Sequence, residues 1–396
     1  MNTFPHIDEP PFARPRLRIL VDCAPLSGGG GSQVACAFLE NLVKADIADW
    51  RAVATKPTIS LLSPAVLSDP RIVCVKKRNW FDLLRISSAL AHEERTFLPD
   101  IVFSVFGPTY FTPRAIHLVG FALPLMIYDV EPPLQQPSMS ARFKKWLGKR
   151  AFKKADHIVV ETETVKSRLS ARLGIDSAKI SVIGNSVNPL FVVEPAPHAK
   201  TSSDMFTILV PAAHYPHKNL EIIPKVAAEL TRSAPDFEFE FLLTLAPALP
   251  AWRAIAQDAD HLGVGRHVKT LGNLTLASLA TQYQSASAIF LPTIREASTA
   301  VYPESFQAKC PLVTSDYDFA RDLCGDAALY VPPTDPKAIA DKLLQLSRDK
   351  ALAADLVARG EARLKSHYPT SDEKFSQQMV LIGSLVAADI GARGKR

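Results

Sequence analysis

The stretch AIFLPTIREASTAVYPESFQAKCPLVTS, residues 288–315, contains the pattern that decides the fold. Its two ends, 288–292 and 312–315, are short apolar runs of the kind that form fully buried strands. Residues 301–309 between them predict a helix, which the chain enters through a polar loop. A strand, a helix and a second strand in this order predict two parallel strands joined by a crossover helix, the unit of a doubly wound sheet.

The same alternation extends in both directions from this unit. Upstream, the predicted strands are 207–211, 237–245 and 268–271, and the predicted helices are 220–232, 251–262 and 276–284. Downstream, a strand is predicted at 328–331, and helices are predicted at 319–324, 336–348 and 351–367. Strands that alternate with helices of this length indicate a parallel sheet covered on both faces. Residues 207–367 are therefore predicted to form one Rossmann-like domain.

The N-terminal half shows a second run of the same kind. Strands are predicted at 16–23, 101–106, 157–161 and 180–183, with a glycine loop at 27–31 and a helix at 33–43. Residues 195–206, rich in Pro, Ser and Thr, break the pattern and predict a linker. The predicted fold class is α/β, with Rossmann-like doubly wound parallel-sheet domains at 16–194 and 207–367 facing each other across a cleft. A tail at 1–15 and a C-terminal segment, 368–396, remain. The helix predicted in that segment, 372–388, is expected to pack back on the first domain.

The composition excludes several classes of function. The chain has 396 residues and a net charge of +5, yet seven basic residues and no acidic one lie between Pro132 and Ala155. Because the excess of positive charge is confined to this segment, no nucleic-acid partner is predicted. The five cysteines are scattered and show no zinc spacing, so we expect reduced thiols and no bound metal.

The basic segment is the feature that bears on localisation. No signal peptide or uncharged membrane-spanning stretch is apparent, which predicts a cytoplasmic protein. On a helix, one side of the segment is basic and an adjoining side is apolar; the basic side is Arg142, Lys145, Lys149 and Lys153, and the apolar side is Phe143, Trp146, Leu147 and Ala151. Residues 142–154 therefore suit peripheral contact with an anionic membrane, at the inner face of the plasma membrane. The alternative is a solvated helix whose apolar side packs on the first sheet.

Two glutamates are the strongest chemical signal. Glu296 and Glu304 are separated by seven residues and lie beyond the carboxyl end of a predicted strand, where doubly wound sheets bind ligands. Carboxylates at this place accept hydrogen bonds from sugar hydroxyls. The loop 297–300 presents backbone N–H groups and the start of a helix to a phosphate. Alternatively, Glu304 complements the helix dipole and Glu296 is a solvated loop residue.

A second signal is PAAHYPHKN, residues 211–219, between a predicted strand and a predicted helix. Lys218 is expected at the start of that helix, where the dipole disfavours a cation unless an anion docks beside it. A diphosphate bound by Lys218 and the free N–H groups satisfies this condition. The alternative is a solvated lysine flanked by two surface histidines.

With these motifs in order, the C-terminal half resembles the retaining GT-B glycosyltransferases of family 4. The resemblance covers about residues 205–348 and rests on HYPHKN, LGNLTLASLATQYQSASAIFLPT, the glutamate pair, PLVTSD and GDAALYVPPTDP. In the N-terminal half, SGGGGSQVACAFLENL and RAFKKADHIVVETETVKSRLSARLGIDSAKISVIGNSVNPLF carry a weaker resemblance. The resemblance as a whole implies a GT-B glycosyltransferase that moves a sugar from a nucleotide-diphosphate sugar to a glycan or lipid-linked acceptor, with retention of the anomeric configuration. The implied context is polysaccharide or lipopolysaccharide biosynthesis.

The resemblance also implies roles for individual residues. Lys218 contacts the donor diphosphate, Glu296 contacts the donor sugar near the reaction centre, and Glu304 holds the nucleotide ribose. Glu296 and Lys218 are the implied catalytic residues, and no metal or other cofactor is implied. The implied donor-binding residues are Gly29, Gly30, His214, His217, Lys218, Asn219, Gly272, Asn273, Leu274, Ser298, Thr299, Ala300 and Glu304.

The chain departs from the family pattern in three places. Ala213 and His214 occupy the region where many relatives carry an arginine, so either His214 or His217 takes its role or no residue does. Ser298 and Thr299 stand in the usual glycine loop after the first glutamate, and Tyr128-Asp129 stands where relatives have a histidine and an aspartate. Two other functions stay open. One is a nucleotide-sugar epimerase of the same fold, and the other, which the departures around Ala213 and Tyr128 keep open, is a non-catalytic nucleotide-sugar or glycan-binding scaffold.

Overall fold

The computed structural model describes residues 16–26, 29–76, 82–129, 134, 136, 138–187, 191 and 205–393. The predicted tail at 1–15 and most of the predicted linker at 195–206 lie outside these residues. Phe206, the last residue of the predicted linker, instead begins the first strand of the second domain. The described residues form two separate parallel sheets.

The first sheet has seven strands: β1 (Arg18–Cys23), β2 (Asp49–Thr55), β3 (Ile72–Val75), β4 (Ile101–Ser104), β5 (Ile116–Gly120), β6 (His157–Val160) and β7 (Ile180–Val182). Their order is β3-β2-β1-β4-β5-β6-β7, and every neighbouring pair is parallel. All four residues of β4 and of β6 are buried, because helices cover both faces of the sheet.

Among the described residues of this domain, seven α-helices are present: α1 (Gly29–Ala45), α2 (Lys56–Ile59), α3 (Pro64–Leu67), α4 (Asp82–Phe97), α5 (Pro124–Ile127), α6 (Met139–Lys153) and α7 (Glu163–Leu173). The predicted glycine loop at 27–31 is partly wrong, because α1 already begins at Gly29. A Cβ on Gly31 would lie 3.1 Å from the Leu26 side chain and 3.4 Å from that of Phe106. Glycine thus lets the first turn of α1 pack closely, which outweighs its low helix propensity.

The second sheet has six parallel strands: β8 (Phe206–Val210), β9 (Phe239–Leu243), β10 (Val268–Thr270), β11 (Ala288–Leu291), β12 (Leu312–Ser315) and β13 (Ala328–Val331), in the order β10-β9-β8-β11-β12-β13. Its helices are α8 (Ile223–Ser233), α9 (Pro250–His261), α10 (Leu276–Ser285), α11 (Val301–Gln307), α12 (Asp318–Cys324), α13 (Pro336–Arg348) and α14 (Lys350–His367). The predicted unit at 288–315 is β11-α11-β12, with β11 and β12 as parallel neighbours. The predicted fold class is confirmed.

The last helix, α15 (Ser371–Arg393), packs on the N-terminal domain. Phe375 lies 5.5 Å from Phe38 of α1 between ring centroids, and Lys374 donates hydrogen bonds to Glu161 Oε1 (2.7 Å) and Asn185 Oδ1 (3.1 Å). Lys374 and its two partners are all buried. No membrane-spanning stretch was expected from the sequence, but the helical stretch Lys350–Ala392 contains an 18-residue window that is apolar enough to cross a membrane, by length and composition alone. Among the described residues it is the one such stretch, and 17% of its apolar window is buried.

The two domains also contact each other through α12. Tyr128 Oη donates to Asp318 Oδ1 (3.1 Å), and Arg168 Nε donates to Asp318 Oδ2 (2.7 Å). The ring of Tyr128 meets that of Phe319 edge-on, with centroids 5.9 Å apart. The backbone N–H of Thr164, at the start of α7, donates to Asp322 Oδ2 (3.1 Å). Residues of α5 and α7 are therefore bonded to the second domain.

Helix α6 packs in a way that the sequence pattern did not indicate. Phe143 and Trp146 are 58% and 50% exposed and stack on each other, with ring centroids 5.7 Å apart. The buried side instead contains Gly148, where a Cβ would lie 2.5 Å from Met126 Cε, and Phe152, which packs edge-on against Phe121. Of the predicted apolar side, Phe143 and Trp146 therefore face away from the sheet, whereas Leu147 and Ala151 are partly buried.

Candidate functional site

The loops that follow β8 and β11 meet at the carboxyl edge of the second sheet. These strands are neighbours, so the residues after them lie side by side, where doubly wound sheets bind ligands. Lys218, from the first loop, forms an ion pair with Glu296, from the second. Their side chains are 13% and 6% exposed. Thr293 Oγ1 also lies within hydrogen-bond distance of Glu296 Oε1, at 3.0 Å, so the carboxylate has polar partners on two sides.

Lys218 lies at the end of a 3-10 turn, Pro216–Lys218, and not at the start of an α-helix as predicted. Asn219 adopts a left-handed conformation with φ of 55°, a second 3-10 turn follows, and α8 begins only at Ile223. The amide of Asn219 is buried and donates to the Pro333 carbonyl at 2.7 Å. Asn219 thereby anchors the turn that presents Lys218.

A second contact joins the Lys218 turn to the Glu296 loop. The backbone carbonyl of His217 accepts a hydrogen bond from the Ile294 N–H (2.8 Å) and lies 3.1 Å from Thr293 Oγ1, whose single proton is donated either to this carbonyl or to Glu296 Oε1. Both loops are thus fixed to each other by backbone groups as well as by the ion pair. This rigidity presents the ammonium and the carboxylate to a ligand in one fixed arrangement.

Glu304 occupies the first turn of α11, where it can complement the helix dipole, and it is 5% exposed. The other part of the alternative interpretation, a solvated Glu296, does not hold, because Glu296 is buried. Tyr283 of α10 donates a hydrogen bond to Glu304 Oε2 at 2.8 Å. Burial raises the pKa of Glu304 to about 7, and the hydrogen bond from Tyr283 works in the opposite direction. Tyr283 was not predicted as a site residue, because an aromatic residue in a helix ordinarily indicates core packing.

Neither predicted histidine brings a second positive charge to Lys218. His214 Nε2 lies 2.7 Å from Glu221 Oε1, a carboxylate of the turn that precedes α8. His217 stacks on Tyr215, with ring centroids 5.6 Å apart, and burial lowers its pKa to about 4. At neutral pH the His217 imidazole is therefore uncharged. A charge that replaces the family's arginine has to come from another residue.

The loop between Glu296 and α11 contains one engaged hydroxyl and one free hydroxyl. Thr299 Oγ1 accepts a hydrogen bond from the Val301 N–H at 3.3 Å, and the Ala300 carbonyl accepts from the Glu304 N–H at 3.0 Å. Ser298 Oγ is buried and has no hydrogen-bond partner among the described residues. Because a buried hydroxyl without a partner is costly, Ser298 is the member of this loop most suited to contact a ligand.

The other predicted donor-binding residues lie on separate loops. Gly272, at φ of 71°, and the exposed Asn273 follow β10 at the edge of the second sheet, with Leu274 next in the chain. Gly29 and Gly30 begin α1 in the other domain, and a Cβ on either would meet no atom within 4 Å. The structure thus brings Lys218 and Glu296 into direct contact and leaves open space beside the two glycines.

Arg295 is a site residue that the sequence analysis did not identify. Its Nη1 lies 3.5 Å from the backbone carbonyl of Asp129 in the first domain, and its buried Nε has no hydrogen-bond partner among the described residues. The Asp129 carboxylate is instead bound by Arg172 of α7. The signal available in the sequence was a basic residue directly before Glu296, in a loop at a strand end.

Among the residues that the structure describes, no group of three or more His, Cys, Asp and Glu side chains is placed to hold a metal ion. Positive charge at the site comes from Lys218 and Arg295, which extend from adjacent loops of the second domain. The site can therefore bind an anion through side chains of this chain.

Two family models match the chain in succession. Residues 28–190 match the Glycosyltransferase Family 4 model, and residues 197–363 match the model of Glycosyl transferases group 1. A curated relative, the O-antigen chain mannosyltransferase RfbU of Salmonella typhimurium, is 25% identical over 215 residues. This alignment covers 54% of the present chain and 58% of the relative, so the match spans just over half of that protein.

Solved structures resemble the chain over nearly its whole length. Sucrose-phosphate synthase from Thermosynechococcus elongatus has a TM-score of 0.75 at 17% identity, covering 94% of this chain and 100% of that one. Anabaena Alr3699/HepE, solved in complex with UDP and glucose, has a TM-score of 0.72 at 15% identity, with coverages of 93% and 100%. At these identities the likeness bears on the fold alone. The two family models, matched in chain order, and the shared architecture establish that the chain belongs to the group 1, family 4 glycosyltransferases of GT-B fold.

Proposed function

We propose that this protein transfers a sugar from a nucleoside-diphosphate sugar, held by its second domain, to a glycan or lipid-linked acceptor. The observation that carries the proposal is the buried pair of Lys218 and Glu296 at the carboxyl edge of the second sheet. A buried ion pair contributes little to stability once desolvation is counted, so its presence at a ligand-binding edge favours a functional role.

Lys218 is proposed to bind the donor diphosphate. In the unliganded protein Glu296 neutralises the ammonium, which would otherwise be a buried charge without a partner. A diphosphate supplies equivalent negative charge and frees Glu296 to face the sugar. Glu304 is proposed to accept hydrogen bonds from the ribose hydroxyls, as acidic residues do in other nucleotide-binding sheets. Its burial beside Tyr283 fixes the carboxylate for this purpose.

Catalysis is proposed to be electrostatic. As the glycosidic bond breaks, positive charge develops on the sugar and negative charge on the leaving diphosphate. Glu296 stabilises the first and Lys218 the second, and both are already held in place before the reaction. With the Lys218 ammonium next to the diphosphate, the proposed reaction proceeds without a divalent metal ion. Retention of the anomeric configuration is proposed on the family resemblance, by displacement on one face assisted by the leaving phosphate.

The acceptor class is proposed from the curated relative and from α6. The relative's name places it in O-antigen chain assembly, and polysaccharide or lipopolysaccharide biosynthesis is accordingly the proposed context. Exposed Phe143 and Trp146 on α6 lie next to Arg150, whose guanidinium stands 5.0 Å above the Trp146 ring. An exposed aromatic and basic helix face suits peripheral contact with an anionic membrane on the cytoplasmic side.

The experiment that tests donor binding compares nucleoside diphosphates with the matching monophosphates by calorimetry. After a panel has identified the preferred base, Lys218→Ala is expected to weaken diphosphate binding by at least about tenfold, because a charge-assisted hydrogen bond contributes about 1.5–3 kcal/mol. Monophosphate binding is expected to suffer less. Lys225→Ala, on the exposed side of α8, is the matched control. Equal losses for the two ligands would show that Lys218 does not bind the diphosphate.

A further inference from the structure

Tyr215 is an exposed aromatic side chain beside the proposed donor site. Of the Phe, Tyr and Trp side chains in residues 206–367, all of which the structure describes, Tyr215 alone is exposed, at 55%, and the others are buried or half-buried. Tyr215 precedes Pro216, which restricts it to an extended backbone, and its φ of −134° and ψ of 145° are extended. The exposed ring thus stands at the start of the turn that ends at Lys218.

His217 supports the Tyr215 ring. The two rings lie nearly parallel, at 16°, with centroids 5.6 Å apart. The Tyr215 carbonyl accepts a hydrogen bond from the Lys218 N–H at 2.8 Å, and the His217 carbonyl accepts one from the Ile294 N–H, also at 2.8 Å. We call the two stacked rings the aromatic pair. The backbone bonds that hold Lys218 beside Glu296 therefore also hold the aromatic pair.

The aromatic pair lies at the edge of the second sheet that faces the first domain. Its turn follows β8 at the carboxyl edge of the sheet. The neighbouring loop, after β11, reaches the first domain, where Arg295 Nη1 is 3.5 Å from the Asp129 carbonyl. A single exposed aromatic residue elsewhere on the surface would need no explanation. At this edge it stands next to the residues proposed to act on the sugar, so it is available to a second substrate that approaches that sugar.

The chemistry of the aromatic pair suits an uncharged ring and not a phosphate. Burial lowers the pKa of His217 to about 4, so its imidazole carries no charge at neutral pH. The face of an aromatic ring is partly negative, which disfavours an anion and attracts weakly positive C–H groups. A pyranose ring offers such C–H groups on a face and hydroxyls at its rim, to which the Tyr215 phenol can bond. Contact through a tyrosine also costs little conformational entropy, because the side chain has few rotatable bonds.

We propose that the aromatic pair is an acceptor subsite, in which Tyr215 stacks against a pyranose ring of the acceptor and His217 positions the Tyr215 ring. The proposal rests on the proposed function and specifies its acceptor as a glycan, or a lipid that already carries a sugar. The donor's nucleobase is the competing flat ring. In a nucleoside-diphosphate sugar, however, the diphosphate separates the base from the sugar. A pair bonded to the loop of Glu296, the residue proposed to contact the sugar, is therefore placed for the acceptor and not for the base.

The test is a titration of methyl pyranosides, followed by saturation-transfer NMR, into protein that is saturated with its preferred nucleoside diphosphate. The probes are the methyl glycosides of glucose, galactose, mannose and N-acetylglucosamine. The wild-type protein is expected to bind at least one probe and to transfer saturation from its aromatic protons to the C–H groups of one ring face. Tyr215→Ala is expected to weaken this binding about fivefold, the equivalent of about 1 kcal/mol for one aromatic contact.

Three further variants separate stacking from a general disturbance of the loop. Tyr215→Phe keeps the ring and is expected to bind the probe within about twofold of wild type. His217→Ala removes the support and is expected to weaken probe binding, which His217→Phe restores by supplying a flat ring again. The matched control is Leu262→Ala, which removes an exposed apolar side chain at the end of α9, at the opposite edge of the second sheet, and is expected to change nothing.

Three results would overturn the proposal and leave the proposed function intact. One is a wild-type protein that binds the nucleoside diphosphate but none of the four probes, and another is probe binding that Tyr215→Ala does not change. The third is a loss of nucleoside-diphosphate affinity in Tyr215→Ala as large as in Lys218→Ala, which would assign the ring to the donor. Failure of the wild-type protein to bind any nucleoside diphosphate would instead refute the proposed function. Probes titrated into the unloaded wild type and Tyr215→Ala would then decide whether the aromatic pair binds sugars.

Discussion

At the scale of single residues, Glu296 and Glu304 differ in their surroundings and are therefore expected to act differently. Glu296 is paired with a cation in a loop, whereas Glu304 is buried in a helix against Tyr283. A carboxylate next to the developing positive charge acts mainly in the transition state, so Glu296→Gln is expected to lower kcat at least about tenfold with donor KM little changed. A ribose contact acts equally in ground and transition states, so Glu304→Gln is expected to raise KM.

Steady-state kinetics on the two variants measures this division directly. Glu163→Gln, an exposed glutamate of α7, serves as the control for a glutamate replaced outside the site. The same kinetic defect in both site variants would contradict the division of roles. Near-normal activity in both would contradict the site itself.

The raised pKa of Glu304 predicts a dependence of stability on pH. Between the ordinary glutamate pKa of 4.5 and about 7, the folded protein binds this proton and the unfolded chain does not, so stability falls as pH rises through this window. Glu304→Gln abolishes the titration. From pH 5 to pH 8 the wild-type protein is expected to lose roughly 2 kcal/mol of unfolding free energy relative to this variant. Urea unfolding at both pH values measures the difference, and a gap between the two proteins that is the same at both pH values would contradict the prediction.

Sequence reasoning identified Lys218, Glu296 and Glu304 as candidate site residues because each of them lies shortly after the end of a predicted strand. It missed Arg295 and Tyr283, whose importance comes from contacts between elements that are distant in the chain: Arg295 touches the first domain, and Tyr283 reaches Glu304 from another helix. It also placed Lys218 at the start of a helix, because the left-handed Asn219 that separates the turn from α8 has no signature beyond the residue itself.

At the scale of elements, the second domain followed its sequence pattern more closely than the first. Strands β12 and β13 have the predicted bounds, because both are apolar runs flanked by polar turns. In the first domain, β2, β3 and β5 were not identified. Strand β3 lies at the edge of the sheet and is only partly buried, so its hydrophobic pattern is weak. On α6, Phe143 and Trp146 point outward because Gly148 lets the helix pack closely against Met126. This is a tertiary effect, which the sequence pattern of the helix does not indicate.

The exposed face of α6 predicts binding to anionic vesicles. Each basic residue near an anionic surface contributes about 1 kcal/mol, so the double variant Lys144→Ala with Arg150→Ala is expected to bind such vesicles roughly 30-fold more weakly. The control removes two exposed charges from the second domain, Lys225→Ala with Lys350→Ala, and is expected to bind as the wild-type protein does. Vesicle sedimentation measures both. Equal weakening in the two double variants would show that binding follows net charge and not this helix.

At the scale of the whole molecule, the two sheets were predictable because alternating strands and helices admit few arrangements. The side chains that join the domains were not, since their contacts depend on single residues such as Asp318, which bonds both Tyr128 and Arg168. The packing of the C-terminal helix on the first domain was expected, but its anchor, Lys374 bonded to Glu161, was not. These contacts hold the second domain, with its proposed donor site, against the first.

The most direct test of the central claim, sugar transfer by the Lys218–Glu296 site, is turnover of a nucleoside-diphosphate sugar in excess chelator, with the product's anomeric configuration read by NMR. The account predicts release of nucleoside diphosphate at an undiminished rate with chelator, a product with the donor's configuration, and loss of at least about tenfold in Lys218→Ala. Turnover abolished by chelator and restored by magnesium or manganese would contradict the proposed chemistry. Donor binding without turnover would instead indicate a scaffold, and interconversion of the donor sugar alone an epimerase.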